Sequence, residues 1–194
     1  SVGLKYWPRV TISTLLFLNE VFEDQVFIDR AKNALGWLLK TKFDNNAYSC
    51  RYYREEESFN DKVCTFDAGM VLNGITNLYE ITKDEIVLQE CELIANWLID
   101  KMQKKDGSLY VRYITDEQRL VDNENRWSAQ SGSFHAKITI GLLHYFEITK
   151  NQKYKEAAIR LCDYALNQQK GDGRFITNRF NDSTFIHPHL YTLE

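Results

Sequence analysis

Few residues in this chain combine the right type and position to do chemistry, and they gather at the starts of helical stretches. Asp67 sits in Thr65-Phe66-Asp67-Ala68-Gly69, and His135 in Ser131-Gly132-Ser133-Phe134-His135-Ala136-Lys137. Carboxylate and imidazole are the groups most used to move protons at a reacting centre. Each also has a plainer use. An acid in a first helical turn answers free N–H groups and the helix dipole, and a single histidine is commonly a hydrogen-bonded structural group. Asp67 is assigned as a candidate acid/base, and His135 as its partner or a substrate-positioning group. Arg9, Arg112, Trp127, Lys137, Arg179, His187, His189 and Tyr191 are assigned as substrate contacts. Guanidinium groups grip carboxylates in a bidentate fashion. Trp127, in the polar stretch DNENRWSAQSGS, could stack on a sugar ring or fold back over the repeat edge. His187 and His189 flank Pro188, whose fixed φ suits a first helical turn. His-x-His with no third ligand makes no metal site, so no metal is assigned.

The elements that hold these residues are written more than once. Glu80-Ile81-Thr82-Lys83-Asp84 returns as Glu147-Ile148-Thr149-Lys150-Asn151. Before each copy, Leu72, Ile75, Leu78 and Tyr79, and Ile138, Leu142, Tyr145 and Phe146, keep helical spacing. A second helix follows each, from Glu85 to near Lys104 and from Gln152 to near Gln169. Their stripes are Leu88, Cys91, Ile94, Ala95 and Leu98, then Ala158, Leu161, Cys162 and Ala165. An earlier copy aligns Trp37 with Trp97 and brings Arg51-Tyr52 near Arg112-Tyr113. Trp37, Trp97 and His144 are expected in the core. The result is a stack of helix pairs, with another first helix beginning near His187; such units bury their faces only by stacking. First helices are the more apolar and belong inside; the charged second helices belong outside. Return loops, including SCRYY and SLYVRY, share one rim with the first-helix N-termini, and loops on a rigid scaffold carry most binding residues.

The pattern of inner helix, T-K-D/N turn, outer helix and D-G turn resembles the α/α-toroid folds. Gln103–Ser108 (QKKDGS) and Gln168–Phe175 (QQKGDGRF) are similar to repeats of squalene cyclases and prenyltransferases. Phe66–Gly69 (FDAG) is similar to the acid-bearing start of an inner helix in the six-hairpin glycosidase-like unsaturated glucuronyl hydrolases. HPHLYTLE resembles repeat ends of uncharacterised toroid proteins. The resemblance implies an all-α fold, a partial α/α toroid with short extended segments in the return loops. It also implies a carbohydrate-binding or carbohydrate-active protein, glycoside hydrolase- or lyase-like, with its site on the rim. Two other readings stand beside it: a non-catalytic helical scaffold for a protein or peptide, and an isoprenoid-binding toroid. The Asp-x-Asp-Asp run of terpene cyclases that protonate their substrates is missing, and no cysteine lies close in sequence to Asp182, His187 or His189 to complete a prenyltransferase-like zinc set.

Composition narrows the partners. A net charge of −3 over 194 residues gives no basic stripe for nucleic acid. Apolar runs are too short for a bilayer. Neither a phosphate-binding Gly loop nor a Gly-x-Ser-x-Gly elbow occurs, and no cofactor is expected. Cys91 and Cys162 read as buried thiols, and no CxxC pair is present. Cys50 and Cys64 flank a polar loop and could bridge, but no export signal is visible and reduced thiols are expected. The chain therefore reads as cytoplasmic, although Ser1 in place of Met leaves room for a processed leader. The expected ligand is a small saccharide or another anionic molecule. Residues 1–194 read as one toroid domain, closed either by a homodimer partner or by a missing remainder of the ring.

Overall fold

The computed structural model describes residues 7–43, 48–53, 55–56, 58–122 and 126–194; the side chains of residues 7–10, Tyr52 and Phe59 lie outside the described set. Inner helices α1 (Trp7–Phe22), α3 (Thr65–Thr82) and α5 (Ile138–Thr149) pack side by side, α1 on α3 and α3 on α5. Each is backed by an outer partner: α2 (Gln25–Leu39), α4 (Glu85–Asn96) and α6 (Gln152–Leu166). A further inner helix, α7 (Ile186–Leu193), follows. This is the α/α-toroid architecture that the sequence repeat predicts.

The repeated phrase is a turn. Glu23, Lys83 and Lys150 take left-handed φ of 52°, 52° and 56°, and each ends an inner helix by donating its N–H to the carbonyl four residues back. The next residue, Asp24, Asp84 or Asn151, caps the outer helix by accepting the N–H two residues on, at 2.9, 2.9 and 3.2 Å. A left-handed non-glycine residue costs about 1 kcal/mol and such a cap contributes about the same. The two terms nearly offset, so the turn reverses the chain with little net cost.

The other end is held differently. After α4 the chain widens into a π-helical stretch, Trp97–Met102, then turns at Gly107. Gly107 has φ +86°, and a Cβ there would lie 2.2 Å from the Arg160 carbonyl oxygen. Gln103 donates its side-chain amide to Gly107 O at 3.2 Å and to Ala157 O at 2.8 Å, tying this turn to the next outer helix. Gln169 and Gly173 repeat the turn. The return segments form strands: β1 (Tyr52–Tyr53) with β2 (Ser58–Phe59), and an antiparallel sheet of β3 (Lys62–Cys64), β4 (Arg112–Ile114) and β5 (Arg119–Val121). The register pairs Cys64 with Arg112 and Arg112 with Val121, so one return loop braces the next.

The core runs from α1 to α6 without a break, with Leu72, Ile75 and Leu78 fully buried at the centre. Each such side chain contributes roughly 1.5–3 kcal/mol. Two glycines bring α3 and α5 together: a Cβ at Gly69 would sit 2.5 Å from Ile138, and one at Gly141 would sit 3.0 Å from the Asn73 nitrogen. Three expectations are corrected. Trp37 is 39% exposed, unlike Trp97 at 5%, so the aligned tryptophans are not both core residues. Cys162 is half-buried on α6 rather than enclosed. His144 is half-buried and pairs with Glu80 at 2.9 Å across α3 and α5 instead of packing into the apolar core. Among the described residues no helix is long and apolar enough to cross a membrane.

Candidate functional site

The N-terminal rim of the inner helices gathers rings from four separate segments. Phe66 opens α3, Phe134 and His135 belong to the 3-10 turn Ser133–Lys137 that leads into α5, and His187 and Tyr191 lie on α7. Trp127 comes from the 3-10 turn Trp127–Ala129 in the loop before. Phe66 lies 5.6 Å from Phe134 and 5.1 Å from Tyr191, centroid to centroid. Trp127 meets Phe134 at 5.6 Å and His187 at 5.9 Å, both edge-on, and His187 meets Tyr191 at 4.5 Å. These are the spacings and tilts at which ring quadrupoles attract. Lys137 lies over the Tyr191 ring at 4.7 Å and pairs with Glu194; partial burial lowers its pKa. The sequence assigned Trp127, His135, Lys137, His187 and Tyr191 to this rim one by one, and the structure brings all of them to one cluster. Trp127 is half-buried, folded against Phe134 rather than isolated.

Behind the rings lies a polar network. His135 is 1% exposed and stacks on Phe134 at 4.2 Å. Its Nδ1 accepts the Gly132 N–H at 3.4 Å, so the neutral ring carries its proton on Nε2. Burial first, then the nearby Lys104 cation, push its pKa down to about 3. Asp122 pairs with Lys104, accepts the Ser131 N–H at 3.2 Å and lies 3.9 Å from Arg179. Arg179 donates its backbone N–H to Gln130 Oε1 at 2.7 Å and its guanidinium to the Tyr164 hydroxyl at 3.2 Å. Gln130 also donates to Asn178 at 3.1 Å. Lys104, Asp122, Gln130, Phe66 and Phe134 were not among the residues the sequence singled out. Their types are ordinary and only the fold unites them.

Asp67 stands in the first turn of α3, half-buried, with Cys64 as the N-cap residue. Its charge is felt at Cys64, as is that of Arg112, which faces Cys64 across the β3–β4 ladder. Asp67 and Arg112 are thus neighbours of one thiol, and Phe66 carries the same turn into the ring cluster. His189 points elsewhere. Its Nδ1 accepts the Phe175 N–H at 3.3 Å and its ring meets Phe175 at 5.8 Å, which ties α7 to the preceding return segment. Arg9 belongs to α1, but its side chain lies outside the described residues. A cavity of about 510 Å³ opens between α1 and α3, lined by Ser13, Phe17, Asn77, Glu80 and Ile81 among others. It is set toward the C-terminal halves of those helices, and none of the candidate residues lines it.

The sequence of this toroid matches a known family. The model of the β-L-arabinofuranosidase, GH127 catalytic domain, matches residues 13–179. The chain belongs to this GH127 catalytic-domain family. No curated protein sequence matches it. Solved structures share the fold at low identity. A GH76 α-mannanase of Bacteroides thetaiotaomicron is 18% identical with a TM-score of 0.70, over 90% of this chain and 48% of that one. Cellobiose 2-epimerase of Spirochaeta thermophila is 13% identical with a TM-score of 0.74, over 90% and 45%. An inactive variant of an α-1,6-mannanase of Salegentibacter sp., solved with α-1,6-mannotetrose, is 14% identical with a TM-score of 0.67, over 87% and 52%. This GH127-family chain spans about half the length of these structures. Family and fold make it an α/α-toroid protein of a glycoside hydrolase family.

Proposed function

We propose that this chain is a single toroid domain that binds a saccharide at the N-terminal rim of α3, α5 and α7 and serves hydrolysis of its glycosidic bond. The observation that carries the reading is the convergence of Trp127, Phe66, Phe134, His187 and Tyr191 on one rim, beside the half-buried Asp67. Rings present flat apolar faces on which the C–H side of a sugar packs, while cations and carboxylates around them take its hydroxyls. The family makes an L-arabinofuranoside the first substrate class; the solved neighbours make α-1,6-mannosides and cellobiose the natural comparisons.

In this reading Asp67 is the acid that protonates the leaving oxygen as the glycosidic C–O bond breaks, and its carboxylate is then the base that takes a proton from the water attacking the anomeric carbon. Of the two roles open to His135, positioning is the supported one: a buried neutral ring holds Phe134 and the 3-10 turn in place. Trp127, His187 and Tyr191 stack on the sugar. Arg112, Lys137 and Arg179 meet its hydroxyls or a carboxylate, so a uronic acid or another small anionic ligand belongs in the panel. Arg9 is held as a further contact from α1, and His189 supports the site by anchoring α7. A second reading, a non-catalytic scaffold for a protein or peptide, draws on Phe17, Val21, Ile140 and Leu143, apolar residues exposed on inner helices.

The deciding experiment is thermal unfolding and calorimetric titration with L-arabinofuranosides, α-1,6-mannotetrose, cellobiose and uronic-acid oligosaccharides, for the wild type and for Asp67→Asn and Trp127→Ala. A ligand that binds only the folded state raises the midpoint by mass action. The rim reading expects a shift with one sugar class, weakened by Trp127→Ala. Asp67→Asn is expected to keep binding but stop turnover. No shift with any sugar, with both variants folded, overturns it and favours the scaffold.

A further inference from the structure

Cys50 and Cys64 take no part in the site described so far, yet the fold sets them side by side. The Cys50 N–H donates to the Lys62 carbonyl at 2.8 Å, so the chain entering the return loop runs along strand β3. Cys64, two residues beyond Lys62, falls on the same side of that strand. Each thiol lies within electrostatic reach of the other. Asn60 braces the pair by donating its amide to Cys50 Sγ at 3.4 Å, while its Oδ1 accepts the Ser49 hydroxyl at 2.7 Å. Cys64 is also the residue from which α3 starts, three positions before Asp67. Cys91 and Cys162 lie on the outer helices α4 and α6, away from this pair.

We propose that Cys50 and Cys64 form a reversible dithiol–disulfide site, oxidised by exchange with a low-molecular-weight disulfide, which ties the return loop to the first turn of α3. Cys50 is half-buried and accepts the first exchange. Its thiolate attacks one sulfur of the oxidant, the S–S bond of the oxidant breaks, and one small thiol departs with a proton. The Cys64 thiolate then attacks the Cys50 sulfur of the mixed disulfide and releases the second small thiol. Two protein thiols become one disulfide and the oxidant is reduced to two thiols, so electrons and protons balance. The interaction with Cys50 first, then burial and the Asp67 charge, hold Cys64 as a thiol, while the Arg112 guanidinium favours its thiolate. Cys64 therefore acts as the resolving group, quick only once Cys50 is already oxidised beside it. The bond would join two points of the backbone that the ladder already holds together, at the helix start from which Asp67 projects. This inference stands whatever the rim binds.

The test equilibrates the purified chain in a graded series of reduced and oxidised glutathione, quenches with acid, alkylates and maps peptides by mass. The expected result is conversion of Cys50 and Cys64 to one intramolecular disulfide, reversed by reduced glutathione, with Cys91→Ala leaving the transition unchanged. Cys64→Ser is expected to accumulate glutathione on Cys50, and Cys50→Ser to leave Cys64 unmodified; a near-ultraviolet circular dichroism spectrum like that of the wild type shows each variant folded, with Cys64→Ala replacing a variant that is not. Cys50 and Cys64 both free at the oxidising end, a stable glutathione adduct on Cys50 of the wild type, or disulfides from other pairs would each overturn the proposal.

Discussion

The two ends of the helix pairs are built on opposite plans. At the inner-to-outer end the same two-residue turn recurs at Glu23-Asp24, Lys83-Asp84 and Lys150-Asn151, with one closing hydrogen bond and one cap each time. At the outer-to-inner end each passage differs: a sheet strand leads into α3, a 3-10 turn into α5, and a bridged segment anchored by His189 into α7. The difference teaches where chemistry can be placed. A turn that repeats unchanged has its backbone satisfied by one closing bond and one cap. The rim, where the pattern breaks, carries the rings, cations and carboxylates that a repeat alone does not require.

Substitutions can break this contrast. The largest expected effect is inside the rim's own repeat. Gly107→Ala is expected to lower stability in urea unfolding by about 3 kcal/mol, combining left-handed strain with overpacking against Arg160. Gly173→Ala, at a similar φ but facing open space, is expected to cost only about 1 kcal/mol. Equal losses would mean that strain alone matters. Trp127→Ala is expected to weaken saccharide binding about tenfold by titration, equivalent to about 1.4 kcal/mol. Its unfolding midpoint is expected to move less than that of Gly107→Ala. At the other end, Asp84→Ala and Asn151→Ala are each expected to cost about 1 kcal/mol through the lost cap, with saccharide affinity unchanged; a change in affinity would erase the distinction between the two ends.

A separate effect is read in pH. The His135 pKa is held down to about 3 in the folded chain, against about 6.5 when exposed. Between those values the unfolded chain binds a proton that the folded chain refuses. Its contribution is therefore fully present above pH ~6.5 and declines as pH falls toward 3. The midpoint of wild-type thermal unfolding is expected to drop between pH 7 and 5, and His135→Gln to flatten that slope. Parallel slopes would show His135 titrating as an exposed ring.

The helix pairs were legible in the sequence because their causes are local. Asp84 caps Ile86 two residues away, and Leu72, Ile75 and Leu78 keep their period within one helix. The Phe66–Gly69 resemblance pointed to the right helix start, although Gly69 is there to let α3 touch Ile138. The rim was legible as a list and not as an arrangement. Asp122 meets Lys104 and Arg179 from remote stretches, and nothing in the spacing of those residues announces the network. Trp37 and Trp97 show the limit from the other side. Aligned positions in two repeats have different fates, since Trp97 is covered and Trp37 is left open.

The paired glycines of α3 and α5 have a mechanical consequence. With Gly69 against the Ile138 side chain and Gly141 against the Asn73 backbone and Leu72, the two helices approach more closely than any larger residue at either glycine would allow. They behave as one stiff beam carrying Asp67 at one corner and His135 at the other. Any opening or closing of the rim must then be taken up by α7 and the Trp127 loop, which hang on that beam by ring contacts. If the rim binds as proposed, those outlying parts are where substitutions would reshape ligand preference without disturbing the frame.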